Sequence, residues 1–273
     1  MPAVSIADSI GQAACRVLLT PDPDEKAALS REMAALWRAG GLSEECLAKP
    51  PDRPARPADP VLLPPAQMPR RRGGAMRNRI ALLHAVAHIE FNAIDLAWDM
   101  VARFARFDGE TMPRAFLDDW VGVADDEARH FSMIRERLQA LGADYGDLPA
   151  HDGLWQAAEA TAHDALARLA VVPMVLEARG LDVTPAMIDR LQGMGDQKSA
   201  AALKVIYEEE ISHVAAGERW FRYLCKRRGK DLQSHFHALV RENFAGLLKP
   251  PFNHGARLAA GMQTGLYEPL ARR

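Results

Sequence analysis

The chain has 273 residues, 48% hydrophobic and 26% charged, with 34 Lys and Arg against 36 Asp and Glu. That length suits one large domain or two small ones with a sizeable core. A net charge of −2 gives no general attraction to nucleic acid or anionic membrane, and three scattered cysteines (Cys15, Cys46, Cys225) without a Cys-x-x-Cys pair exclude a disulfide framework. Asp8 interrupts the N-terminus, no basic region precedes an apolar run, and no stretch reads as apolar enough to span a bilayer. A cytoplasmic location and no membrane partner are therefore expected.

The first 41 residues read as two helices, Ile6 to Leu19 and Asp24 to Arg38, stopped by Thr20-Pro21 and Gly40-Gly41. Between residues 49 and 74 proline recurs at 50, 51, 54, 57, 60, 64, 65 and 69, followed by Arg70-Arg71-Arg72-Gly73-Gly74. This is an extended connector. The residues before it are too few to build much core alone, which favours a strap lying on a helical body over an interdomain linker. The arginine triplet reads as a solvated cluster rather than a phosphate grip. The expected organisation is 1–75 N-terminal helices and strap, 76–230 a helical bundle, and 231–273 a C-terminal helix and tail.

Four long helices follow. The first, about Met76 to Phe107, carries the apolar stripe Ile80, Leu83, Ala87, Ile94, Ala97, Val101 and Phe104, regular only if Glu90 belongs to it. Asp108-Gly109 ends it. The second, from about Pro113 to Leu141, puts Glu127 and His130 on the seam with Phe116, Trp120, Val123, Ile134 and Leu138. The third, about Leu154 to Arg179, continues the face of Leu166, Ala170 and Pro173 to Glu177. Pro173 should kink it. A short helix is expected next, with Thr184 as cap, Pro185 as its first residue and Gly193 as its stop. The fourth long helix, about Asp196 to Arg228, places Glu210 and His213 between Leu203, Ile206, Gly217, Trp220 and Leu224. His235 to Leu248 reads as a last helix before a turn-rich tail.

Two of these helices carry the same motif. Glu127-Ala128-Arg129-His130 and Glu210-Ile211-Ser212-His213 are both Glu-x-x-His, and residues three apart lie on one helix face about one turn apart. A lone buried carboxylate costs several kcal/mol unless it is paired or bound to metal. Here Glu90, Glu127, Glu177, Glu210, His130 and His213 all fall on core positions, in the order Glu, Glu-x-x-His, Glu, Glu-x-x-His. That is the ligand order of a di-iron carboxylate site in a ferritin-like four-helix bundle. Either Glu-x-x-His alone would be weak; the six together are specific. The expected fold class is all-α: a ferritin-like bundle with extra N-terminal helices, the strap and a C-terminal helix. Carboxylate and imidazole donors suit two transition-metal ions, iron as an Fe/Fe pair or Mn/Fe. Glu127 and Glu210 would bridge them, Glu90 and Glu177 would be terminal, and His130 and His213 would bind one each. Asp126 would hold the tautomer of a ligand histidine, or be an exposed helix acid. His84 and His88 lie off the Glu90 stripe and read as hydrogen-bonding residues. Tyr207 reads as a core tyrosine, with a role near the metals the alternative.

On the pieces His84-x-x-x-His88-Ile89-Glu90, Asp126-Glu127-Ala128-Arg129-His130-Phe131, Leu176-Glu177-Ala178-Arg179-Gly180-Leu181-Asp182, Glu210-Ile211-Ser212-His213-Val214 and Pro251-Phe252-Asn253, the chain resembles the DUF455 family of ferritin-like proteins. The resemblance implies the bundle and the metal site and no settled reaction. A more distant similarity, through Asp-Glu-x-Arg-His, is to di-iron monooxygenase hydroxylases. It implies that Asp126 supports a ligand histidine; Glu209 stands at the matching place in the second motif. The function expected is an O2-activating oxidoreductase, a hydroxylase or oxidase of an unknown small substrate, supplied by an electron donor and forming at most a small homo-oligomer. Iron storage or detoxification is the alternative, and a tRNA-hydroxylase-like enzyme a third that the neutral charge disfavours.

Overall fold

The computed structural model describes residues 9–68 and 75–271. The arginine triplet with Gly73-Gly74, Pro69 and the expected helix start at Ile6 lie outside the described residues. The rest is all-α but for one tiny hairpin, and the order and lengths of the helices are compatible with a ferritin-like bundle. The chain forms two compact units, Met1–Trp155 and Gln156–Arg273.

The first unit contains α1 (Ile10–Leu18), α2 (Pro23–Arg38), α3 (Ala75–Phe104), a hairpin of β1 (Arg106–Phe107) and β2 (Glu110–Thr111), and α4 (Arg114–Ala140); α5 (Gly153–Ala160) starts at its end. Local chemistry sets the boundaries. Ser9 accepts from the Gln12 amide, and Asp22 accepts from the amides of Asp24 and Glu25 with Pro23 opening α2. Asp108 and Gly109 both have positive φ, 50° and 83°, the two-residue turn that matches strand twist. That turn reverses the chain, so α3 and α4 pack antiparallel. The first long helix thus ends at Phe104 rather than Phe107, because Arg106 and Phe107 pair with Thr111 and Glu110.

Packing within this unit is polar as well as apolar. Ser30 on α2 accepts from Trp98 Nε1 at 2.7 Å and donates to the Ala124 carbonyl at 2.9 Å, tying α2 to both α3 and α4. Lys26 and Asp95, both fully buried, are ion-paired. Arg56 of the strap pairs with the same carboxylate at 3.0 Å and donates to Asn92 at 2.7 Å, while Lys26 also donates to the Ala55 carbonyl. Two further bonds hold the strap: Arg103 on α3 donates to the Pro51 carbonyl, and the Ala55 amide donates to the Leu18 carbonyl at the end of α1. Residues Val61 and Leu63 exchange hydrogen bonds with Ala150. Covered in this way, α3 is buried on most sides. Its segment Met76–Phe104 is long and apolar enough to cross a membrane by composition, which corrects the expectation that no stretch would be, but 78% of its apolar window is buried inside the protein.

The second unit contains the rest of α5, α6 (Ala165–Val171), a π-helical turn (Val172–Glu177), α7 (Ala178–Gly193), α8 (Gln197–Arg227), α9 (Leu232–Asn243), and two short tail helices, α10 (His254–Ala259) and α11 (Thr264–Tyr267). The expected continuous third helix is interrupted twice. Asp164 caps a new start at α6. Pro173 then removes an amide and crowds the carbonyl four residues back, and the chain accommodates it with the wider π turn.

Two boundaries also correct the sequence reading. No helix begins at Thr184-Pro185; α7 runs through Pro185. The carbonyl left without an intrahelical amide is that of Leu181, four residues earlier, and Asn253 Nδ2 donates to it at 3.2 Å. The helix expected at His235 to Leu248 begins earlier, after the Asp231 cap, and ends at Asn243.

Pro173 also fixes how α8 packs. A Cβ on Gly217 would lie 2.5 Å from Pro173 Cβ and 2.6 Å from its Cγ, and a ring locked to the backbone cannot move aside. Gly217→Ala is therefore expected to destabilise the protein by about 1–3 kcal/mol, despite the better helix propensity of Ala. Thermal melting checks this; a variant melting at or above the parent would refute it.

Candidate metal centre

The α3–α4 hairpin brings residues equally far from its turn to one level. Glu90 lies 18 residues before Asp108, and Glu127 lies 18 after Gly109. His130 follows Glu127 by one turn, on the same face. All three are buried, Glu90 to 4% exposure and Glu127 and His130 to 0%. His130 Nδ1 lies 3.3 Å from Glu90 Oε2 and 3.5 Å from Glu127 Oε2. Burial pushes the imidazole down, but hydrogen bonds and charge from Glu127 and Glu90 outweigh it and push its pKa up to about 11. Two buried carboxylates therefore draw positive charge into this position.

One ligand atom from each of these three residues fits within a 4.8 Å group, and the donors are carboxylate oxygen and imidazole nitrogen. This buried Glu/His cluster can hold a metal ion, and hard-to-borderline ions such as iron or manganese match its donors. A metal would displace the proton from His130, so loading releases protons.

In the second unit, Glu210 and His213 stand one turn apart on α8, with His213 Nδ1 3.6 Å from Glu210 Oε2. His213 is 1% exposed, and Glu210 is half-buried. Glu177 is the last residue of the π turn, also half-buried. The wide turn shifts its register relative to a regular helix. Such insertions concentrate at functional sites.

The residues expected to support the ligands have assorted partners. Asp126 is half-buried and accepts from Arg129 on its own helix at 2.9 Å. The Glu209 carbonyl accepts from the Ser212 hydroxyl. His84 Nε2 accepts from the Gly146 amide at 3.0 Å, and burial pushes its pKa down. His88 lies 2.9 Å from the Tyr145 hydroxyl through Nδ1 and 3.1 Å from the His151 carbonyl through Nε2. Burial, the largest influence on it, pushes its pKa down to about 4. Both histidines thus hold the loop after α4 as neutral rings. Tyr207 accepts from Asn253 Nδ2 at 2.8 Å, which ties α8 to the tail.

Two charged constellations escaped the sequence reading. One is Lys26–Asp95–Arg56 in the first unit. The other is Asp182 with Arg257 in the second, bonded twice at 2.9 and 2.7 Å. The backbone amide of Asn253 also donates to Asp182, so the pieces ending in Asp182 and in Asn253 are direct partners. Nothing in the sequence pointed to Arg257.

No solved structure matches this chain. A protein of Haemophilus influenzae, described as uncharacterized, is 43% identical over 209 residues, which cover 76% of this chain and 73% of that one. The family described as "Protein of unknown function (DUF455)" matches residues 19–268. With nearly the whole described chain inside that match, from α1's end to the tail helices, this protein belongs to the DUF455 family.

Proposed function

We propose that this protein is a ferritin-like di-metal carboxylate oxidoreductase that activates O2 for the oxidation of a small substrate. The observation that carries the reading is the buried Glu90–Glu127–His130 cluster, together with a second Glu-x-x-His on α8 that repeats its chemistry. In this reading Glu90, Glu127, Glu177, Glu210, His130 and His213 would be the residues that hold the ions. Bound iron, or Mn/Fe, supplies the redox chemistry with O2. The protein's own residues fix the ligand positions, keep water out and hold charge. Glu90, Glu127, His130 and His213 are all buried, which lowers the local dielectric around them. An external electron donor is required for repeated turnover, and O2 and a small molecule are the expected partners.

A storage protein passes many ions through such a site and keeps them. An oxidoreductase stops once its own ligands are filled. Aerobic addition of Fe(II) to the purified protein should therefore saturate near about two irons per chain, as a six-residue carboxylate/His set allows. Uptake continuing to tens of irons per chain in a large assembly would replace this reading with storage. Absence of bound metal in the folded, anaerobically loaded protein would remove both.

A further inference from the structure

The second unit contains a cavity of about 240 Å³ between the π turn with α7 and the tail segment after α9. Its lining is mainly apolar: Val175, Leu176, Phe244, Leu247, Leu248 and Phe252. Its charged members are Arg179, Lys249 and Arg257 against Asp182, three positive groups and one negative.

Arg257 is the distinctive member. It is 1% exposed, with its guanidinium stacked against the rings of Phe252 (5.1 Å) and Tyr267 (4.6 Å). Asp182 takes Nε and Nη2. Nη1 is buried and makes no hydrogen bond among the described residues. A buried guanidinium N–H without an acceptor costs on the order of 1–3 kcal/mol or more, so an acceptor arriving there recovers that cost. Arg179 stands at the more open side. Its bonds all run through Nη1, to the carbonyls of Lys249 and Pro251 and weakly to Asp182, so Nη2 and Nε remain for a ligand. A few polar groups converging in an otherwise apolar cavity is the usual make-up of a small-molecule site.

We propose that this cavity binds a small monocarboxylate with an apolar body, its carboxylate on Arg257 and Arg179 and its body against Leu176, Phe244 and Phe252. The volume equals that of about eight liquid waters, which limits the ligand to roughly ten non-hydrogen atoms. Asp182, already among the lining groups, opposes a dianion such as a phosphate ester. Val175 and Leu176 immediately precede Glu177 in the chain. Resting on the function proposed above, this carboxylate is the class of substrate that would be oxidised there: one oxygen atom of O2 enters a C–H bond of its apolar body, and the other leaves as water with two electrons from the external donor and two protons.

Octanoate, which has ten non-hydrogen atoms, serves as the probe, and octanamide as its neutral counterpart. Calorimetric titration of the metal-free protein should give saturable octanoate binding at one site per chain. Octanamide should bind at least about 10-fold more weakly, the effect of losing a charge-assisted pair. Arg179→Gln should weaken octanoate by about 10-fold or more. Leu176→Trp, which fills the cavity, should abolish binding, with melting curves showing both variants folded. No saturable binding, or equal binding of octanamide, overturns the inference. If Leu176→Trp does not fold, Arg179→Gln decides it: unchanged affinity there overturns it. The metal reading is tested separately, by iron content and by the optical spectrum of the iron-loaded protein with and without octanoate. Two irons per chain with no octanoate binding sinks the carboxylate site alone. Octanoate binding in a protein that never loads iron leaves the cavity site and sinks its role as a substrate site.

Discussion

Glu127→Gln is expected to strip most metal from the protein while leaving its fold intact. The side chain is fully buried between α3 and α4, with Oε2 3.5 Å from His130 Nδ1. Glutamine keeps its volume and removes its charge, so packing is conserved. Changing a residue that merely supports a ligand costs about 10–100-fold in metal affinity. On the proposed reading of Glu127 as a ligand to both ions, its loss should cost at least about 100-fold on that scale. If the protein holds the two ions proposed above, iron per chain after gel filtration should then fall from about two toward zero. The metal-free variant should melt no lower than the parent, because removing one of two buried carboxylates relieves their mutual repulsion and desolvation. His130 retains Glu90 at 3.3 Å as its partner. Equal iron content in parent and variant would remove Glu127 from the ligand set. A large fall in the metal-free melting temperature would show that the carboxylate is there for stability.

The second large effect is on stability and lies away from the metal. Lys26→Met should destabilise the first unit by about 3 kcal/mol, the low end of what removing one member of a buried ion pair costs. Lys26 and Asp95 are both at 0% exposure, so water cannot replace the lost ammonium. Burial pushes the Lys26 pKa down, and Asp95 pulls it part of the way back, which shows the pair is held against desolvation. Arg56 at 3.0 Å leaves Asp95 some compensation, and for that reason the lower end of the range applies. For a unit of this size the change corresponds to a drop of roughly 6–12 °C in melting temperature. Pairing the change with Asp95→Asn should restore at least about half of the loss, since no full charge then remains buried opposite the methionine. A single variant that melts with the parent would mean the pair contributes little net stability. A double variant worse than the single would place the stabilisation in Asp95's contact with Arg56.

The long helices and the ligand motifs were legible in the sequence because both depend on local periodicity. Glu90 showed itself by occupying a stripe otherwise made of Leu83, Ala87, Ile94 and Ala97, and Glu127 with His130 did so on the stripe of Trp120 and Ile134. The stop at Asp108-Gly109 is likewise short-range chemistry that a sequence displays directly. Boundaries failed where a distant residue supplied what the local chain lacked. Pro185 reads as a helix start, yet α7 passes through it because Asn253, 72 residues after Leu181, bonds the orphaned carbonyl. Pro173 announced a bend, but its form, a π turn ending at Glu177 and seated on Gly217, came from packing against α8. The charges on α3 show the same limit. Asp95 has no place on that stripe, and its pairing with the strap's Arg56 and α2's Lys26 makes its burial tolerable. Arg257 is the plainest case: an arginine in a turn-rich tail becomes one of the most buried side chains because Asp182 and two aromatic rings close around it. Periodicity told which face of each helix is inside; which charges that interior can hold was decided by partners from far along the chain, since only tertiary contact can offset their desolvation.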